Sequence, residues 1–89
     1  MIKEKIKASF KEQENSGTND LLLFNDDYNS FDFVIESLVD VCEFDSLQAE
    51  QCAMIAHYKG KCPLRSGGFD ELLPMSKILT EKGLTVQIS

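Results

Sequence analysis

The longest uninterrupted run of large apolar side chains in this chain, Leu21-Leu22-Leu23-Phe24, is only four residues long. That is far short of the roughly 20 residues that cross a bilayer, so the core must be assembled from short pieces. The run is closed by the polar turn Asn25-Asp26-Asp27 and reads as a buried strand leading into a loop. With 89 residues the chain has material for one domain, which excludes a large multi-substrate enzyme.

After the turn, Phe31, Val34, Ile35, Leu38, Val41 and Cys42 recur at three- and four-residue steps, the stripe of an amphipathic helix. Asn29 or Ser30 is placed to cap it, Asp32 sits in its first turn, and Glu43-Phe44-Asp45 interrupts it. Asp45 followed three residues later by Gln48 has the form of a capping box and predicts a second helix running to Lys59, with Gly60 as its left-handed terminus. Its Ala49, Cys52, Ala53 and Ala56 make a stripe of small residues that lets another element approach closely. Lys61 to Arg65 reads as a short strand, and Pro63 implies that it lies at a sheet edge. Ser66-Gly67-Gly68 reads as a turn. Phe69 to Lys82 has helical character; Pro74 sets the expected start near Leu73, because proline is tolerated in a first turn, and Gly83 ends the helix. Leu84, Val86 and Ile88 alternate with polar residues, as in a half-buried final strand. The order β-α-α-β-α-β predicts an α+β two-layer sandwich, with a three-stranded antiparallel sheet and three helices on one face.

Residues 1–19 differ in character. They carry four lysines against three glutamates, and end in the turn-prone Glu14-Asn15-Ser16-Gly17-Thr18-Asn19. Their apolar Ile2, Ile6 and Phe10 are spaced by four. This segment is expected to be a flexible N-terminal arm, leaving residues 20–89 as the folded domain. It has no continuous apolar core and no small-residue cleavage site, so no secretory leader is expected. Residues 20–89 hold five basic and twelve acidic groups, net −7. An acidic body without a basic stripe argues against nucleic acid and against an anionic membrane surface. The three cysteines, 42, 52 and 62, are each ten residues apart, which matches neither a redox CxxC pair nor a usual zinc spacing. Cys42 and Cys52 fall on the apolar stripes and read as small core residues, and an odd number of cysteines points to a reduced, cytoplasmic protein. A thiol or metal site built on Cys62 and the single histidine, His57, would be the rival reading.

The chemically informative stretch is Asn25-Asp26-Asp27-Tyr28-Asn29-Ser30-Phe31-Asp32-Phe33-Val34, followed by His57-Tyr58-Lys59-Gly60-Lys61. Taken separately, an Asn-Asp-Asp turn often serves only as a cap and a solvated loop, and a histidine at a helix end as a partner for the helix dipole. Together, the N-D-D-Y turn, the F-V at the start of the first helix and the H-x-x-G-K ending the second resemble the ClpS-type adaptors of the bacterial ATP-dependent Clp protease, over about residues 20–89.

The resemblance implies a fold like the C-terminal domain of the ribosomal stalk protein. It implies binding of N-degrons, substrates that expose Leu, Phe, Tyr or Trp as first residue, and their delivery to the N-terminal domain of a Clp AAA+ unfoldase. By carry-over, Asn25, Asp26, Asp27 and His57 surround the substrate's α-amino group. Asn29, Phe31, Val34, Ala53, Ala56 and Leu84 line the pocket for its side chain. No catalysis, cofactor or metal is expected, and a monomer suffices. The chain departs from the family pattern at Asn29, Ser30 and Phe31, where Thr, Pro and Met are usual, and at Ala53 and Ala56, where Met and Val are common. These changes imply a reshaped pocket that favours aromatic first residues over Leu. The alternative is an interaction domain in which Phe31 plugs the pocket and N-degron recognition is lost.

Overall fold

The computed structural model describes residues 18–89. The expected arm lies outside the described residues except for Thr18 and Asn19, and Asn19 already opens the first strand. That strand, β1 (Asn19–Phe24), is the centre of an antiparallel sheet ordered β2-β1-β3, with β2 at Lys61–Gly67 and β3 at Val86–Ile88. Alternation along β1 buries Leu21 and Leu23 beneath the helices, while Leu22 and Phe24 are half-buried. Pro63 sits on the outer strand β2, the edge position at which a missing N–H is tolerated. The β1–β2 register shifts between Leu21, opposite Arg65, and Leu22, opposite Pro63, so Leu64 is the extra residue of a bulge. Ser66 and Gly67, expected in a turn, instead pair with Asp20 and Asn19 and extend β2.

Three helices complete the domain, in the order expected: α1 (Phe31–Cys42), α2 (Ser46–Lys59) and α3 (Phe69–Glu81). Helices α2 and α3 pack on the sheet, and α1 lies against both. Each start has a local cause. The Ser30 side chain accepts the Phe33 N–H at 3.1 Å, and the Asp45 carboxylate accepts the Gln48 N–H at 2.7 Å. Gly68 precedes α3, and Glu71 reaches back to accept the Gly68 N–H at 3.2 Å. Helix α3 thus begins at Phe69, ahead of the start that Pro74 suggested; the proline lies inside it. The helix forgoes one backbone hydrogen bond there. The early start lets α3 bury both Leu72 and Leu79 completely.

Leu21, Leu23, Leu38, Leu72 and Leu79, all at most 2% exposed, form the centre of the core. Among the described residues, no helix is long and apolar enough to cross a membrane. Among the described residues, the end of α1 is the one place where the backbone holds a non-glycine residue left-handed, Glu43 at φ 59°. Arg65 Nη2 steadies this corner by donating to the Cys42 carbonyl at 3.0 Å. A left-handed L-residue costs about 1–2 kcal/mol, only partly offset by glycine's greater unfolded-state freedom. Glu43→Gly is therefore expected to stabilise the domain by about 0.5–1 kcal/mol, read as a higher urea midpoint at unchanged m-value.

Candidate functional site

The site forms where β1 runs out. Beyond Phe24, whose N–H bonds the Thr85 carbonyl at 2.8 Å, the Asn25 N–H donates to the Gly60 carbonyl at 3.0 Å. Gly60, at φ 96°, ends α2 in the left-handed conformation that an L side chain resists. That single bond joins the Asn-Asp-Asp turn to the end of the helix carrying His57. Segments thirty residues apart in sequence thereby share one cavity.

The cavity has a volume of about 410 Å³. Of the residues singled out in the sequence, Asn25, Asp26, Asp27, His57, Asn29, Phe31, Val34, Ala53 and Ala56 all line it. Ala53 and Ala56 are buried in the face of α2 that meets the core, Val34 is half-buried, and Asn25, Asp27 and His57 are exposed. The cavity therefore combines an apolar interior with acceptor groups open to solvent. Phe31 is 40% exposed and leaves the cavity open. Leu84 is not among the residues that line it. Gly83, at φ 97°, turns the chain after α3, and the Leu84 N–H bonds the Leu79 carbonyl at 3.0 Å. That turn sends Leu84 into the core, where it is 4% exposed. Leu23, Phe24, Met54 and Tyr58 also line the cavity and were missed. Met54 and Tyr58 lie four residues apart on α2 and so share one face, a spacing that the sequence shows. The rings of His57 and Tyr58 meet edge to face at 5.0 Å.

Asp26 organises the turn. Its Oδ1 accepts the Tyr28 N–H at 3.0 Å and the Asn29 N–H at 2.9 Å, and its Oδ2 accepts the Asn29 side-chain amide at 2.9 Å. Thr85 adds a longer hydroxyl contact at 3.4 Å. Partial burial opposes ionisation of this carboxyl, but the bonds from Asn29, Tyr28 and Thr85 outweigh it and hold the pKa below its ordinary value. Asn29 Nδ2 also donates to the Gly83 carbonyl at 2.9 Å, so it braces the turn against the segment leading to β3. Asp26 and Asn29 thus spend much of their hydrogen-bonding capacity within the protein, while Asp27 makes no such set of bonds among those described.

The sulfur atoms lie elsewhere. Cys42, Cys52 and Cys62 are buried free thiols, and Cys62 Sγ sits 2.7 Å from Cys52 Sγ. Burial pushes the Cys42 and Cys52 thiols up, the latter further through Cys62. Cys62 is not among the residues that line the cavity with His57. Among the described residues, no group of three or more His, Cys, Asp or Glu side chains is arranged to hold a metal ion.

A family model described as ATP-dependent Clp protease adaptor protein ClpS matches residues 14–87. This chain belongs to the ClpS family. It is 38% identical, over 60 residues, to the ATP-dependent Clp protease adapter protein ClpS of Shewanella halifaxensis, a match covering 67% of this chain and 56% of that relative. The chain thus spans little more than half the length of that relative. Its fold is similar to Agrobacterium tumefaciens ClpS2, a structure bound to L-phenylalaninamide. The TM-score is 0.70 at 22% identity, with 81% of this chain and 94% of the other covered. The ClpS fold accounts for the three-stranded antiparallel sheet and the three helices described above.

The hydrogen bonds around Asp26 give the ClpS turn of this chain a pH dependence of definite sign. A depressed carboxyl pKa contributes stability above the ordinary unfolded value, and that stability is lost as pH falls through the folded value. Asp26→Asn is expected to be less stable than the parent at neutral pH, with the gap closing as both are acidified below about pH 4. Urea midpoints from pH 6 down to pH 3 measure this.

Proposed function

We propose that this chain is an adaptor that binds polypeptides through a large hydrophobic N-terminal residue and delivers them to the N-terminal domain of a Clp AAA+ unfoldase. The observation carrying this reading is one cavity in which acceptors from Asn25, Asp27 and His57 surround an apolar interior made by Phe31, Val34, Ala53 and Ala56. Membership of the ClpS family supports it, as does the phenylalaninamide bound by the related ClpS2. On this reading the protein acts by binding alone, in the cytoplasm, as a monomer.

The chemistry follows from the two ends of the cavity. An α-ammonium group, with a pKa of about 7.7–8.0, is mostly charged at neutral pH and offers three donors. Moving it out of water costs several kcal/mol unless each donor finds an acceptor. An Asn carbonyl oxygen, an Asp carboxylate and an imidazole nitrogen provide them. Each charge-assisted bond contributes about 1.5–3 kcal/mol. An acetylated or internal residue lacks the charge and the donors, so these groups select a chain end. Asp26 holds the turn in place, leaving Asn25, Asp27 and His57 as the groups nearest to the arriving ammonium.

The apolar part then sorts by size, each large side chain gaining about 1.5–3 kcal/mol when fully buried. Alanines at 53 and 56 leave room, and the ring of Phe31 offers an aromatic edge or face to an aromatic guest. Phe, Tyr and Trp are therefore favoured over Leu.

Fluorescence anisotropy of labelled decapeptides that differ only in residue one tests the reading. Free N-terminal Phe, Tyr and Trp should bind at micromolar concentration or tighter, Leu more weakly, and Ala or N-acetyl-Phe not measurably. Asn25→Ala and His57→Ala should each weaken Phe-peptide binding about ten- to hundredfold with the circular dichroism spectrum unchanged. Retained affinity in both variants would remove these residues from the site, and no binding of any peptide would remove the function. Deleting residues 1–17 should leave peptide affinity unchanged but slow degradation of an N-terminal Phe reporter by a reconstituted Clp protease. Undiminished degradation would exclude the arm from delivery.

A further inference from the structure

Helix α2 is amphipathic in an unusual sense. Its small residues, Ala49, Cys52, Ala53 and Ala56, are buried, whereas its larger apolar ones face outward. Leu47 is 64% and Tyr58 75% exposed, and Met54 and Ile55 are exposed as well. At about 100° per residue, Leu47, Gln51, Met54 and Tyr58 fall within about 60° of one another, directly opposite the buried face, with Ile55 beside them. This stripe carries no charge, in a domain whose surface is otherwise strongly acidic. Contiguous exposed apolar surface of this kind marks a place where something docks.

Two observations choose the occupant. Met54 and Tyr58 belong both to the stripe and to the lining of the cavity, so a chain seated in the cavity meets them on leaving it. A few side chains on a 14-residue helix also fall short of the roughly 1,200 Å² buried by a stable interface between free proteins. A tethered segment needs far less, because its effective concentration at the stripe is already in the millimolar range or above. From Tyr58 to Leu47 the helix rises about 16 Å, the span of about five residues of extended chain.

Resting on the adaptor reading above, we infer that the outer face of α2 carries the residues that follow the N-terminal residue of a substrate, positions two to about five, and favours apolar side chains there. Substrates are thereby distinguished by the composition of the segment behind the first residue as well as by that residue.

The test uses the full chain and two labelled decapeptides that both begin with Phe. Positions two to five are Ala-Leu-Ala-Leu in one and Ser-Gly-Ser-Gly in the other, with N-acetylated versions of each. The parent protein should bind the apolar peptide about tenfold more tightly than the polar one. Neither acetylated peptide should bind. The double variant Leu47→Gln/Ile55→Gln alters two stripe residues outside the cavity lining. It should bind the polar peptide as the parent does and lose the preference for the apolar one. Equal affinities in the parent, or a preference unchanged in the double variant, overturn the inference while leaving recognition of the first residue intact. Binding of the acetylated apolar peptide also overturns it, because the stripe would then be a general apolar surface. If neither free-amino peptide binds, the adaptor reading itself falls, and this inference with it.

Discussion

The close approach of α2 to the sheet is the constraint on which the rest of this domain depends. It is possible only because Ala49, Cys52, Ala53 and Ala56 present almost no side chain toward β1 and β2. The short connection through Gly60 then brings the helix end against the start of the Asn-Asp-Asp turn. The same small residues that let helix and sheet come together leave unfilled volume where the helix ends, and that volume is the cavity. Larger side chains at 53 and 56 would serve core packing at the cavity's expense. Core packing and the cavity therefore share one stretch of helix.

Around that cavity the protein solves an electrostatic problem in two stages. Asp26 stays ionised, and its carboxylate is satisfied by donors from Tyr28, Asn29 and Thr85, so its hydrogen-bonding capacity is committed within the protein. The turn it fixes holds Asn25 and Asp27 at the cavity, and on the adaptor reading a preformed turn of this kind lowers the entropic cost of capture. Asn29 extends this bracing to Gly83, so the site is tied to all three strands through β1, the end of α2 and the approach to β3. A rigid acceptor array is what an ammonium group requires, because its hydration must be replaced at once and in full.

Local signals were read correctly where a residue's own chemistry decides the outcome. Ser30 and Asp45 cap their helices through their own side chains, and Gly60 takes the positive φ that its place after α2 demands. Pro74 misled because proline's local preference for a first turn was overridden by Leu72, whose complete burial draws the helix start earlier. Leu84, placed at the pocket by resemblance, is buried among the core residues beside a left-handed glycine, a turn that a linear motif does not encode. The clustering of Asn25, Asp27 and His57 was legible only as a resemblance, since nothing in hydrophobic periodicity joins segments thirty residues apart. The bond between Asn25 and Gly60 supplies the physical reason. The outward stripe of α2 follows from the spacing of Leu47, Met54 and Tyr58, but burial of the small residues on the opposite face is what makes it an exposed apolar face, and that depends on packing.

The outer strands of the sheet have a bearing on the company this protein keeps. One border is β2, interrupted by a proline and kinked by the bulge at Leu64; the other is β3, only three residues long. Neither offers an extended, flat ladder of free backbone groups, so an unfolded polypeptide finds no template along which to add itself as a further strand. For a protein whose family serves a protease, that matters. Chains on their way to degradation are rich in exposed backbone, and a receptive border would collect them indiscriminately or nucleate their aggregation. Closed borders leave strand addition out of the ways in which such a chain could attach, so on the adaptor reading any grip falls to side-chain and chain-end contacts at the cavity and the helix beside it.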